Sequence, residues 1–335
     1  MRFGHGGLVG FGYRPEAGAD SWQDHRDAGR CPAGGVFARL IYWLRLNIAY
    51  NYINGLRKHS NAPSWLLRMA RIERRLADPL HHRAARTPRA ALFQARDHHA
   101  EPGALPPGLL AAMRDEVMQQ HLYHDPTIPG WTYRGLVEAA PYSELHMLPH
   151  ALFASDLFLE ICTSPTVMTF CREVIGPRAA VSWGQAWIAN PGYLESPKWK
   201  WHRNNDEPFN AVQVLVPLGD VLGEEDGPML VLPGSAQWSA CLEPRLYGED
   251  EVEAMTSRHP PHALLGRMGD VAFFKGFALH RLTPVLRRQA MLAILVSIGP
   301  ALGSPTIMRR PLSAVPGHLR ERIAQNEGFF RRLVC

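Results

Sequence analysis

Residues 210–235 read NAVQVLVPLGDVLGEEDGPMLVLPGS. A β-branched apolar run opens the stretch and a shorter one, MLVLPGS, closes it, with the acidic turn EEDGP between them, its Glu224, Glu225 and Asp226 expected to be solvated. Short runs of this kind, bounded by Gly, Pro and Asp, predict strands joined by a turn. The pattern continues on both sides. Upstream, AAVSWGQAWIAN (179–190) alternates loosely and ends in the turn signal NPG. Downstream, RMGD precedes the run GDVAFF (269–274), and RQAMLAILVSI (288–298) is a long apolar strand. Strands that follow one another without intervening helices predict an antiparallel barrel or jelly roll.

The part before residue 179 reads differently. LPPGLLAAMRDEVMQQH (105–121) predicts a helix with Pro near its start. SDLFLEICTSPTVMTFCREVI (155–175) predicts one or two more, broken at Pro165. Residues 1–35 are Gly-rich and polar with no apolar period, so a poorly ordered leader is expected. In residues 36–58, Phe37, Ile41, Leu44, Ile48 and Tyr52 recur at helical steps. Arg39, Asn47, Asn51, Asn54 and Arg57 occupy the other side, with Trp43 and Tyr50 intruding on it. Such a basic helix suits the main domain, a second copy of the chain, or an anionic membrane surface. Residues 64–78 predict a second helix capped by Ser64, and the pairs His81-His82 and His98-His99 fall in a Pro/Arg-rich stretch read as a linker. The expected division is a leader (1–35), a basic helical extension (36–100), a strand-rich domain (101–310) and a C-terminal helical tail (311–335).

The chain has 335 residues, 46% hydrophobic and 20% charged, as in ordinary globular proteins. Its net charge of +5 is uneven: residues 1–100 hold 16 Lys+Arg against 7 Asp+Glu, so the remainder of the chain is net acidic. That excludes a basic nucleic-acid-binding role for the strand-rich part. No uncharged apolar run is long enough to span a bilayer, and the first residues lack the plan of a secretory signal. Five scattered cysteines without a CxxC pair indicate neither a zinc ribbon nor a disulfide framework, and a cytoplasmic setting is expected. Walker, GxGxxG and GxSxG patterns in their required contexts are absent from the sequence, which leaves nucleotide-binding and serine-hydrolase readings without support.

The chemistry lies in the strand-rich half. His202, in WHRNND just before the run AVQVLVPL, is a candidate metal ligand at the edge of a strand. His280, ending GDVAFFKGFALH, is the candidate from a distant strand. Two histidines so placed, with a carboxylate, are the ligand set of non-haem iron(II) sites. An arginine entering an apolar strand at Arg287-Arg288 needs an anion, and a 2-oxoglutarate carboxylate would satisfy it through a bidentate pair.

Taken in order, these landmarks resemble the phytanoyl-CoA dioxygenase family of iron(II)- and 2-oxoglutarate-dependent oxygenases. They are VIGPRAA, WIANPG, KWKWHRNND, VPLGDVLGEEDGPMLVLPGS, GRMGDVAFFKGFALH and RQAML, over residues of about 105–300. The resemblance implies a mainly β double-stranded β-helix (a cupin-like jelly roll) with flanking helices, binding Fe(II) and 2-oxoglutarate. It assigns His202 and His280 as iron ligands and Arg288, rather than Arg287, as the cosubstrate anchor, with a hydroxyl from Thr283. It also makes Gln185 and Trp187, which alternate onto one strand face, lining residues of the pocket. Trp183 is read as a core residue on that same face, and PGYLESPKWKWH as a lid-like loop in which Lys198 and Lys200 are solvated. The implied substrate is a small molecule, an acyl compound or a secondary metabolite.

The sequence departs from the family at two places. The PGSH that usually ends the connection is here Pro233-Gly234-Ser235-Ala236. The carboxylate expected two residues after the first histidine is Asn204. Either Asp206 bends back to supply it, or the site works with Asn204 or water beside two histidines, or oxygenase chemistry is lost and a silent jelly-roll binding protein remains. Asn204 is bulkier than the small residue found there in two-histidine halogenases and would obstruct a halide.

Overall fold

Thr87 caps the first described helix, accepting a hydrogen bond from Ala90 N at 3.3 Å, and Pro88 starts it. The computed structural model describes residues 87–123, 132–134, 143–147, 149–177, 179–193, 199–203, 211–237, 247–257, 259–287, 291–300, 310–331 and 333–334. The leader (1–35), the candidate helices at 36–58 and 64–78 and the pair His81-His82 lie outside the described residues.

Helix α1 (Pro88–Arg96) ends at Asp97, whose φ of 65° is left-handed, and β1 (His98–Glu101) follows at once. His98 and His99 are therefore not linker residues. They form an edge strand antiparallel to β9 (Val271–Lys275), with His98 opposite Phe274. Asp97 is fully buried; one carboxylate oxygen accepts from Ala236 N at 2.8 Å, and the other lies 2.8 Å from Lys275 Nζ. That second contact is close enough for charge but is not aligned as a hydrogen bond. Lys275 Nζ also donates to Gln94 O at 2.8 Å, so α1 is riveted to the sheet through a buried ion pair.

Helices α2 (Pro107–Gln119), α3 (Pro149–Ala154), α4 (Asp156–Cys162) and α5 (Pro165–Ile175) follow, interrupted by β2 (His121–Tyr123), β3 (Thr132–Arg134) and β4 (Glu144–Met147). Pro165 splits α4 from α5 as the sequence predicts, because a proline without an N–H is tolerated in the first turn and breaks a helix interior. Ser155 caps α4, accepting from Phe158 N at 3.1 Å. The chain then lays down β5 (Ala179–Ala189), β6 (Val212–Pro217), β7 (Met229–Val231), α6 (Glu249–Thr256), β8 (His262–Leu264), β9, β10 (His280–Leu282) and β11 (Met291–Pro300). It closes with α7 (Gly317–Gln325) and α8 (Glu327–Phe330).

All pairings within the sheets are antiparallel: one sheet runs β1-β9-β6-β11-β5-β4-β2-β3, a smaller one β10-β7-β8. This is a jelly roll with flanking helices. Alternation sorts the large sheet's side chains into two cores. Val212, Val214 and Val216 of β6, Ile294 and Val296 of β11 and Phe273 of β9 join the helices in one cluster. Leu215, Ala293, Leu295, Ala272 and Phe274 join Met229, Val231 and Leu282 of the small sheet in the other, the barrel interior. Because both faces are covered, every residue of β6 is buried, and its sequence reads as an apolar run rather than a strict alternation. Gly184 allows α4 to approach β5: a Cβ there would lie 2.8 Å from the Phe158 ring.

Two expectations are corrected by packing. The β5–β11 register shifts between Ser297 and Ile298, skipping Ser182, and Trp183 packs 6.0 Å from Phe153 in the helix-side cluster rather than on the interior face with Trp187. The acidic turn is not wholly solvated: Asp226 is buried, accepting from Leu222 N and Gly223 N at 2.7 and 2.9 Å.

Candidate metal centre

His202 and His280 come together through the backbone. They form an isolated antiparallel bridge in which each N–H donates to the other's carbonyl at 3.0 Å. The bridge extends the small sheet beyond β10, and residues opposite one another across an antiparallel pair share a face. The imidazoles accordingly stand side by side, centroids 4.5 Å apart and planes inclined by 55°.

Each ring is oriented the same way. His202 Nδ1 lies 2.8 Å from Lys200 O, and His280 Nδ1 lies 2.8 Å from Ala278 O. A carbonyl only accepts, so both Nδ1 atoms carry a proton, and Nε2 is the atom of each ring that holds the lone pair when the ring is neutral. This is the tautomer in which histidine ligates a metal through Nε2, with the outer hydrogen bond fixing the ring. Burial, followed by the nearby His202 and Arg203, holds the His280 imidazolium pKa well below its ordinary value, so the ring is neutral and able to ligate. Phe274 closes the other side of His280 with ring centroids 4.9 Å apart.

The segments bearing the two histidines share further anchors. Arg203 is buried and donates through Nη1 to Phe277 O at 2.6 Å and through Nη2 to Ser235 O at 2.8 Å. Ser235, also buried, accepts from Leu279 N at 2.8 Å through its hydroxyl oxygen. Beneath them Trp201, Leu232, Tyr247, Val252 and Leu279 form a separate apolar cluster, and the Arg281 guanidinium lies over the Trp201 ring at 4.8 Å.

The remaining candidates divide. Trp187 is buried in the barrel interior, opposite Ala293, and its indole N–H has no hydrogen-bond partner among the described residues. Gln185, two residues earlier on the strand, is half-buried. Thr283 gives its hydroxyl hydrogen to Pro228 O at 2.8 Å, so a carboxylate would have to compete for it. Arg287 is exposed and paired with Glu225 and Asp226 at 2.5 and 2.9 Å, on the turn rather than in the barrel. Asn204, Asp206, Arg288 and Lys198 lie outside the described residues; Lys200 is exposed.

Sequence reasoning missed Glu144 and His146. They lie opposite Ala189 and Trp187 on β4, with His146 Nε2 3.4 Å from Glu144 Oε2. The four-residue alternation ELHM, polar residues on one face and apolar on the other, is the signal that marks them. Arg203 and Asp97 were missed as well, because nothing local marks a charged side chain whose partners lie far along the chain.

No cluster of three or more His, Cys, Asp or Glu side chains able to hold a metal occurs among the described residues. The donors present nevertheless fit iron(II) and 2-oxoglutarate: two imidazoles oriented through Nδ1 suit a first-row divalent metal, and the Trp187 N–H, without a partner among the described residues, suits a ligand rich in oxygen acceptors.

Residues 100–284, more than half of the chain, match the family model of phytanoyl-CoA dioxygenase (PhyH). The chain belongs to this family, whose members are iron(II)- and 2-oxoglutarate-dependent enzymes. No curated protein matches it in sequence. Among solved structures it is similar to EctD from S. alaskensis, at 16% identity over 65% of this chain and 78% of that one, with a TM-score of 0.50. It is also similar to HygX from Streptomyces hygroscopicus with nickel and 2-oxoglutarate bound, at 18% identity over 70% and 94% of the two chains and a TM-score of 0.48. At these identities the likeness is one of fold. Among the described residues no helix is long and apolar enough to cross a membrane.

Proposed function

We propose that this chain is a non-haem Fe(II)/2-oxoglutarate-dependent oxygenase that oxidises a C–H bond of a small organic substrate, with hydroxylation the default outcome. The observation that carries the reading is the His202–His280 bridge with both Nδ1 atoms bonded to backbone carbonyls. In this reading His202 and His280 hold the iron, and Asn204 or Asp206 completes the protein's ligand set. Arg288 pairs with the far carboxylate of 2-oxoglutarate, with Thr283 beside it. Gln185 and Trp187 line the pocket, where the Trp187 N–H donates to a ligand oxygen. When bound, the metal and 2-oxoglutarate supply the coupled chemistry: O2 oxidises the C–H bond while the cosubstrate becomes succinate and CO2. The apolar interior around Trp187, Leu215, Phe274 and Leu295 keeps water from that centre. The substrate class is a small acyl compound or secondary metabolite.

Anaerobic titration with Fe(II) and 2-oxoglutarate tests the reading through the visible charge-transfer band of the chelate. The band should form with the wild type and vanish in His202→Ala. Its absence at saturating metal would refute the oxygenase reading and favour the silent jelly roll that Asn204 permits. The same titration separates the third ligands. If residue 204 ligates, Asn204→Asp tightens iron binding and Asp206→Asn leaves it unchanged; if residue 206 ligates, Asp206→Asn weakens it.

A further inference from the structure

Ser235 is the last residue of the PGS turn, and the resemblance to the family gives it no role. The residue is completely buried, and its hydroxyl and carbonyl oxygens face two different segments. The hydroxyl oxygen accepts the N–H of Leu279, the residue immediately before His280. The carbonyl oxygen accepts Nη2 of Arg203, the residue immediately after His202. The other arm of the Arg203 guanidinium reaches Phe277 O, three residues before His280. Leu232 N donates to Leu279 O at 2.9 Å, so the turn grips the segment bearing His280 through both the N–H and the carbonyl of one residue. The turn is itself fixed from the opposite side, where Ala236 N donates to the buried Asp97.

We infer that Ser235 and Arg203 form a clamp that sets the distance and angle between the two histidines, making Ser235 a positioning residue for the metal centre. The argument is geometric. His202 and His280 sit at the end of the small sheet, where the ladder has shrunk to an isolated bridge. Two mutual backbone bonds fix the spacing of two Cα atoms but leave the segments free to hinge about the bridge. Bonds flanking it, at Leu279 on one strand and Arg203 on the other, remove that freedom. Both converge on one residue whose own position is set by a third element. A planar guanidinium suits this task, because its two arms are rigidly related and bond two carbonyls at once. Residues of this kind, which orient ligands without touching the metal, contribute about 10–100-fold to metal affinity.

The inference rests on the proposed metal centre, and the test separates the two. The full-length protein is titrated with Co(II) alone, a spectroscopic stand-in for Fe(II), and its visible d–d absorption and dissociation constant are read with a thermal melt. Ser235→Ala removes the hydroxyl and keeps the carbonyl; Ser235→Thr keeps both. Ser155→Ala is the control: it deletes a buried hydroxyl that caps α4 in the helix-side layer, remote from the histidines. The clamp predicts that Ser235→Ala weakens Co(II) binding about 10–100-fold and changes the d–d band. Ser235→Thr should restore both, and Ser155→Ala should melt earlier yet bind Co(II) like the wild type. Wild-type binding by Ser235→Ala would overturn the inference while leaving the metal centre intact. So would an equal loss in Ser155→Ala, which would trace the effect to general destabilisation. A wild-type protein that takes up no Co(II) would overturn the metal centre, and the clamp with it.

Discussion

Replacing Asp97 by Asn should destabilise the protein by about 3–5 kcal/mol, because it strands a buried ammonium. Asp97 is fully buried and the Lys275 side chain is 5% exposed, so water cannot replace the lost charge. Asn is chosen because it tolerates the left-handed conformation at φ 65° and keeps an oxygen to accept from Ala236 N. What remains is the loss of charge opposite Lys275. Lys275→Met alone leaves the carboxylate uncompensated and should cost a similar amount. The double variant removes both charges and leaves only a buried amide and the lost bond from Lys275 to Gln94 O, so its cost should fall well below the sum of the two single variants. Urea unfolding at neutral pH, followed by circular dichroism, gives the three free energies and their coupling. A domain of ordinary stability, about 5–15 kcal/mol, would lose a large share of it in either single variant. Additive costs, or a single variant within about 1 kcal/mol of the wild type, would show that the pair is not an electrostatic rivet and refute the reasoning.

Trp187→Phe removes the unpartnered N–H and keeps an aromatic ring in the interior; 2-oxoglutarate binding, measured by isothermal titration of the metal-loaded protein under anaerobic conditions, should weaken by roughly tenfold or more, the value of a hydrogen bond to a charged group. Unchanged binding would exclude that donor from contact with the cosubstrate. Arg89 holds Glu173 in a two-pronged pair at 2.6 and 2.7 Å, and this bonding keeps the Glu173 carboxyl below its ordinary pKa of 4.5 against the opposing effect of burial, with Thr87 adding a smaller pull. A carboxyl depressed in the folded state contributes stability above its unfolded pKa and loses it as pH falls through the folded value. Arg89→Gln should therefore flatten the loss of stability below pH 4.5, read from urea midpoints across an acid series; an unchanged pH profile would count against the pair.

The strands that build the sheets are legible where local chemistry decides them. The runs at 212–217 and 291–300 are β-branched or aliphatic because both faces of each strand meet a core, and Pro165 marks the α4–α5 break by lacking an N–H. What escapes the sequence is decided by distant partners. His98 and His99 look like solvated histidines in a basic stretch until β9 supplies an edge to pair with. Asp226 looks like one charge in an acidic run until the turn folds two amides onto it. Trp183 obeys alternation with Trp187 along β5, and only the bulge against β11 moves it to the helix side. The sequence order that matches the family singled out His202 and His280, which the fold does bring side by side; the buried hydrogen bonds of Arg203 and Ser235 to the neighbouring segments carry no such local signal.

That split bears on the third ligand. In an extended strand side chains alternate, so positions 202, 204 and 206 would share a face, and parity alone does not choose between Asn204 and Asp206. Reach can. At about 3.3 Å per residue, an extended chain puts position 204 roughly 7 Å from His202 and position 206 roughly 13 Å away. A metal bound by the His202 ring at about 2 Å is therefore within reach of a short side chain at 204 and beyond one at 206, unless the chain turns between them. The sequence Asn204-Asn205 is suited to such a turn, since asparagine bonds its own backbone and tolerates left-handed geometry. Charge acts in the opposite direction from reach: two neutral imidazoles leave a divalent ion uncompensated, Asn204 adds only a dipole, and Asp206 would bring the missing anion. In the proposed metal centre the third ligand is thus a contest between the cost of a turn and the gain of a charge, and Asn204→Asp is the substitution that would remove the contest, because it places the anion where no turn is required.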